Sequence, residues 1–105
     1  MKDSFRKLYL KEIKRQVAKN GCIPIPRDKN VAFMRKYFLD HQDLKEIILD
    51  LSPNDCIDGP EEDRDGYKGY VLEFKSSYLD EMLIYIKIRY NPPDEVVIIS
   101  FHEDE

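Results

Sequence analysis

Phe5, Tyr9, Ile13 and Val17, with Leu10 beside them, recur one helical turn apart, and Asn20-Gly21 closes the run. The pattern predicts a first helix over about residues 4–19. Its other positions hold Arg6, Lys7, Lys11, Lys14, Arg15 and Lys19, an almost wholly basic outer face. Cys22-Ile23-Pro24-Ile25-Pro26 must be extended, because each proline pushes its predecessor out of the α region. Asp28 is placed to cap a second helix over about 29–38, with Val31, Met34 and Phe38 inward and Lys29, Arg35 and Lys36 outward. A third, over about 41–51, carries Leu44, Ile47, Ile48 and Leu51 at i, i+3, i+4, i+7 spacing. Ser52-Pro53-Asn54-Asp55 then predicts one short turn with proline at its first position. Gly59-Pro60 ends it, and Glu61-Glu62-Asp63-Arg64-Asp65-Gly66 reads as a charged loop.

Beyond that loop the period changes from 3.6 to 2. Strands are expected near 69–75, 83–90 and 95–102, joined by the turn-forming runs Ser76-Ser77-Tyr78-Leu79-Asp80 and Asn91-Pro92-Pro93-Asp94. Helices first and strands afterwards make an α+β class, with N-terminal helices on one face of a three-stranded, or slightly larger, antiparallel sheet. The length of 105 residues fits a single domain, with a helical region over 1–51, a charged loop over 52–68 and a sheet over 69–105. The second strand puts Ile84, Ile86 and Ile88 on one face and Tyr85, Lys87 and Arg89 on the other. The third is expected to set Val97, Ile99 and Phe101 against Ser100 and His102. A sheet covered on one side leaves its other face to solvent or ligand, and that face carries a phenol, two cations, a serine and an imidazole.

Composition narrows the chemistry. Apolar runs stop at four or five residues, far from the roughly 20 of a membrane helix, and the N-terminus lacks the apolar core of a signal peptide, so a cytoplasmic protein is expected. Cys22 and Cys56 are then expected to be reduced and structural. Four glycines, none in a phosphate-cradling run, exclude P-loop and dinucleotide signatures, and no His or Cys pair suits zinc. Glu61, Asp63 and Asp65 before Gly66 imitate half a calcium loop, but the twelfth position is Leu72 and Glu73 falls one residue late, so neither metal nor cofactor is expected. His41 stands alone and reads as a surface residue. The net charge of −4 hides a split: residues 1–36 hold 11 basic and three acidic side chains, a net of +8, leaving −12 for the remainder.

The open face suits metal-independent RNA cleavage, in which a ribose 2′-hydroxyl attacks the adjacent phosphate. That step needs a proton acceptor, cations for the phosphate and a proton for the leaving oxygen. His102 is the candidate acid or base, Tyr85 a hydrogen-bond donor and Lys87 a cation at the reacting phosphate, with Arg64, Arg89 and Lys75 holding RNA. The plainer reading is a solvated strand face and a histidine at a frayed end. An acidic, non-catalytic interaction module is the alternative, in keeping with a pI near 5.2; RNA binding without cleavage is a third. The electrostatic case for RNA depends on whether the first helix lies beside the catalytic face.

The order Leu51-Ser52-Pro53-Asn54-Asp55, a Gly-Pro and acidic stretch, Leu83-Ile84-Tyr85-Ile86-Lys87-Ile88 and Ile98-Ile99-Ser100-Phe101-His102-Glu103 resembles the MqsR family of bacterial toxins, over about residues 40–105. The resemblance implies a RelE-like fold, mRNA endonuclease activity without a cofactor, a cognate antitoxin, and no contact with DNA except through that antitoxin. It places the family's active-site tyrosine on Tyr85 and a family lysine on His102. Two further functional positions fall on Asp58 and Leu72, where the family has lysine and glutamine. Since an aspartate cannot clamp phosphate, either catalysis is rebuilt around His102, Tyr85, Lys87 and Arg64, or the chain keeps the fold with altered chemistry.

Overall fold

A computed structural model describes residues 2–79 and 82–104. The chain runs through α1 (Lys2–Asn20), α2 (Asp28–Lys36), α3 (His41–Leu49), a one-turn 3-10 helix (Pro53–Asp55), β1 (Cys56–Glu62), β2 (Tyr70–Leu79), β3 (Met82–Asn91) and β4 (Glu95–Glu103). The strands pair in sequence order as one antiparallel sheet. This is an α+β arrangement of three helices followed by a four-stranded sheet. Among the described residues no helix is long and apolar enough to cross a membrane.

Both periodicities converge on one core. Leu10, Ile13 and Val17 of α1 and Leu44, Ile47 and Ile48 of α3 meet Leu72, Phe74, Ile84, Ile86, Ile88 and Phe101 of the sheet, all buried. Helix α3 starts on a reciprocal capping box, in which Asp40 Oδ1 accepts Asp43 N–H at 2.8 Å and Asp43 Oδ2 accepts Asp40 N–H at 2.9 Å. The predicted turn at Ser52–Asp55 forms, closed by Ser52 N–H donating to Asp55 Oδ2 at 2.8 Å.

Helix α2 departs from expectation. Asp28 is its first helical residue rather than its cap; Arg27 stands at the cap position and its side chain caps nothing. The inward residues are Asn30 and Phe33, both buried, while Phe38, expected inside, is 92% exposed. The helix stops at Lys36 because the chain reverses through a Schellman closure: Leu39 N–H donates to Met34 O at 2.8 Å and Phe38 N–H to Arg35 O at 3.3 Å. That closure sets Phe38 at φ 54°, a left-handed conformation normally given to glycine and costing a side-chain-bearing residue roughly 1–2 kcal/mol.

The span expected as a charged loop, 52–68, contains a fourth strand. β1 hides in the sequence because it includes Gly59-Pro60 and its pairing with β2 shifts register twice, so no alternation survives. Gly59 is required there: at φ 89° a Cβ would collide with Val71 O. The run 76–80, expected as a turn, is strand as far as Leu79, and Asp80 lies outside the described residues. In β4 the register shifts between the Lys87–Ser100 and Ile88–Ile98 pairs, leaving Ile99 as the extra residue. Ile98 and Phe101 therefore face the core, and Val97 pairs with Arg89. The expected alternation of Val97, Ile99 and Phe101 on one face does not hold.

The margin of β4 is closed by the preceding connector. Pro24 bridges Ile98 in parallel, Ile25 N–H donates to Ile98 O at 2.9 Å, and buried Asn30 donates to Ile25 O and Ile99 O and accepts Phe101 N–H. Helix α2 is thereby fixed beside β4.

Candidate functional site on the open face of the sheet

The face opposite the core is organised by strand register. Lys75, Tyr85 and His102 stand side by side across β2, β3 and β4, and Glu73, Lys87 and Ser100 form the next row. The sheet thus brings together His102, Tyr85, Lys87 and Lys75. The Tyr85 and His102 rings lie 5.4 Å apart, tilted by 41°. His102 Nδ1 is 2.9 Å from Glu103 O. A carbonyl oxygen only accepts, so Nδ1 carries the hydrogen in this contact and Nε2 is the atom available for proton exchange.

Tyr85 donates its hydroxyl hydrogen to Glu73 Oε1. Partial burial, and then the Glu73 carboxylate as acceptor and as charge, raise its pKa well above the ordinary phenol range. Tyr85 is therefore a donor that keeps its proton. Lys75 Nζ pairs with Asp104 Oδ2 at 3.1 Å. The Lys87 ammonium has no hydrogen bond or ion pair among the described residues and borders a cleft of about 260 Å3 that also meets Asp58, Glu61, Asp63 and Glu73. Arg64, exposed, stands on the rim of this acidic cleft rather than with His102.

Arg89 does not fit the expected role of RNA clamp. Its guanidinium reaches Asp63 Oδ2 at 3.4 Å and lies 4.5 Å from the Tyr67 ring centroid, with side-chain exposures of 13% for Arg89 and 6% for Asp63. Desolvated and paired, it holds the 63–67 segment to the sheet and has no free face for phosphate. The two positions that depart from the resembled pattern are also accounted for locally. Leu72 is a fully buried core residue, and the Asp58 carboxylate accepts Gly59 N–H at 2.8 Å.

The first helix lies on the wrong side to supply cations, so the ribonuclease reading loses the main electrostatic support expected for it. Its apolar stripe packs into the core from the helical layer, across the sheet from Tyr85 and Lys87. Positive charge near His102 comes from α2 instead. A recess of about 330 Å3 joins His102 and Ser100 to Arg27, Asp28 and Lys29, and another of about 200 Å3 joins His102 to Lys29, Phe33 and Lys36.

Sequence reasoning missed Glu73 and this α2 set. Glu73 was legible in principle, two residues from Lys75 and so on its face; the α2 cations were not, because their place beside β4 depends on Asn30. Cys22 and Cys56 are free thiols, both raised by burial, Cys22 to about 11. Among the described residues no group of three or more His, Cys, Asp or Glu side chains is arranged to hold a metal. The chain has no significant match to a protein-family model, a curated protein or a solved structure.

Proposed function

We propose that the chain is a cytoplasmic endoribonuclease of the toxin type, with a RelE-like, MqsR-related fold, acting on mRNA and neutralised by a cognate antitoxin. The observation that carries the reading is His102 with Nε2 available, side by side with a protonated Tyr85 and one register step from Lys87, whose ammonium has no partner among the described residues. The sequence resemblance over residues 40–105 and the helices-then-sheet order support the family assignment.

In this reading His102 Nε2 takes the 2′-hydroxyl proton as O2′ bonds to phosphorus. Lys87 donates to the non-bridging oxygens, which gain negative charge, and Tyr85 turns its hydroxyl hydrogen from Glu73 Oε1 to the phosphate. The P–O5′ bond breaks, the departing oxygen takes a proton from water, and a 2′,3′-cyclic phosphate remains. Lys75, released from Asp104, with Arg27, Lys29 and Lys36 along the β4 margin, guides the flanking phosphates. The acidic cleft lies to the other side of Lys87 and repels RNA, so the strand runs from the sheet toward α2.

Purified protein incubated with mRNA tests the proposal. Wild type is expected to yield cyclic-phosphate ends, and His102→Ala or Lys87→Ala to lose about 100-fold or more in rate, the usual range for a proton-transfer group and for a donor to the developing charge. A wild type that leaves RNA intact overturns cleavage. The acidic cleft favours one other reading, docking of a basic protein surface, and salt-sensitive protein association with no RNA bound would select it.

A further inference from the structure

On the side of α2 away from His102 lies an apolar groove of about 580 Å3. One wall is the extended Ile23–Pro26 connector, stiffened by two prolines and tied to β4. The other is the C-terminal turn of α2, with Met34, Phe38 and Leu39. Ile23 is 69% exposed and Phe38 almost wholly so, a large contiguous apolar surface to leave in water. The charged or titratable side chains in its lining are Arg35 and His41, with no carboxylate. Asp40, next in the chain, turns its carboxylate to the start of α3.

Phe38 makes the groove more than leftover surface. It occupies the one position of the α2 closure that favours glycine, in a left-handed conformation, and its ring contributes nothing to the core. Neither local conformation nor packing accounts for an aromatic there. We propose that this groove docks an amphipathic segment of another protein, apolar on the face it inserts and acidic on its flanks. The Arg35 charge, with no carboxylate in the lining, selects acidic flanks, and the preformed walls suit a helix laid into a groove. A second copy of the chain is disfavoured, because a two-fold contact of this patch with itself brings together two Arg35 charges and no carboxylate from either lining. The proposal stands apart from RNA cleavage and does not need it.

The probe is a labelled synthetic helix with leucine at i, i+3, i+4 and i+7 and glutamate at its other positions, together with a twin carrying lysine for glutamate. The acidic peptide is expected to bind at least about tenfold more tightly than its twin, to weaken with salt, and to shift the Met34 methyl resonance. Phe38→Gly should weaken that binding by about tenfold or more while leaving Tm unchanged or raised, since glycine suits the closure, and while leaving RNA cleavage at the wild-type level. Arg35→Glu should invert the preference between the twins. Equal affinity for the two peptides, no binding of either, concentration-dependent dimers that Phe38→Gly dissolves, or binding to anionic phospholipid vesicles in place of the peptide would each overturn it.

Discussion

Asn30 shows how much one side chain can organise. At 1% exposure it donates to Ile25 O at 2.9 Å and Ile99 O at 3.0 Å and accepts Phe101 N–H at 2.9 Å, so α2, the connector and the bulged stretch of β4 share one amide. Asn30→Ala removes the amide from Ile99 O and Phe101 N–H and takes one of two donors from Ile25 O, which keeps Arg27 N–H at 2.7 Å. It is expected to destabilise the fold by roughly 2–4 kcal/mol, read as a lower urea midpoint with little change in slope, because buried unpaired groups retain their desolvation cost. A loss under about 0.5 kcal/mol, the scale of a neutral surface change, would refute that role. Arg89 makes the opposite case. Locked to Asp63 and stacked on Tyr67, it should cost stability but not RNA affinity when changed to alanine, whereas Lys87→Ala should do the reverse. Neither Asn30 nor Arg89 announces its role in the sequence, because the partners of each are brought to it by tertiary structure and local spacing carries no trace of them.

At the scale of elements, legibility follows periodicity. The Leu44, Ile47, Ile48 and Leu51 spacing identifies α3, and the Ile84, Ile86 and Ile88 alternation identifies the core face of β3; all seven side chains are buried. The open-face placement of Tyr85 and Lys87 follows from the same alternation. Where the backbone leaves regular geometry, the pattern stops informing. β1 carries Gly59-Pro60 and two register shifts, Ile99 interrupts β4, and the closure at Phe38 turns an expected core residue outward. Ser100 and His102 nonetheless share the expected face with Lys87 and Tyr85, since the bulge falls before Ser100, while the register that pairs them is set by the fold and not by alternation. Gly59 tests how firmly β1 is held. Gly59→Ala meets both a left-handed φ and Val71 O, so it should lower stability by more than about 1 kcal/mol and speed amide exchange in β1 ahead of β3. Exchange that stays uniform across the two strands would place β1 among the firmly held elements.

The whole molecule is polarised across its sheet. The basic outer face of α1 belongs to the helical layer, while the acidic cleft opens on the strand side, so the charge split along the chain becomes a split through its thickness. Burial also gives the molecule a common alkaline weakness. Cys22 is raised from 9.0 to about 11, and Cys56, Tyr9, Tyr85 and Tyr90 are all raised as well. Each of these groups is neutral when protonated, and the folded state holds its proton more tightly than the unfolded chain does. Their contribution is complete below the unfolded values and is lost as pH rises, for Cys22 between 9.0 and about 11. Urea midpoints should fall steadily through that range, and Cys22→Ala and Tyr85→Phe should each flatten the decline; midpoints indifferent to alkaline pH would contradict it. The two margins of the sheet bear on how such a molecule can be recognised. The Pro24–Ile98 bridge and Asn30 occupy the outer backbone of β4, while on β1 Arg6 Nε donates to Gly59 O at 2.7 Å and Pro60 has no N–H to offer. At these positions the borders are engaged, so an incoming strand would have to displace the connector at β4 or Arg6 at β1. At those points a partner must read the protein through side chains, and point substitutions, rather than changes of backbone, are what would retune its choice of partner.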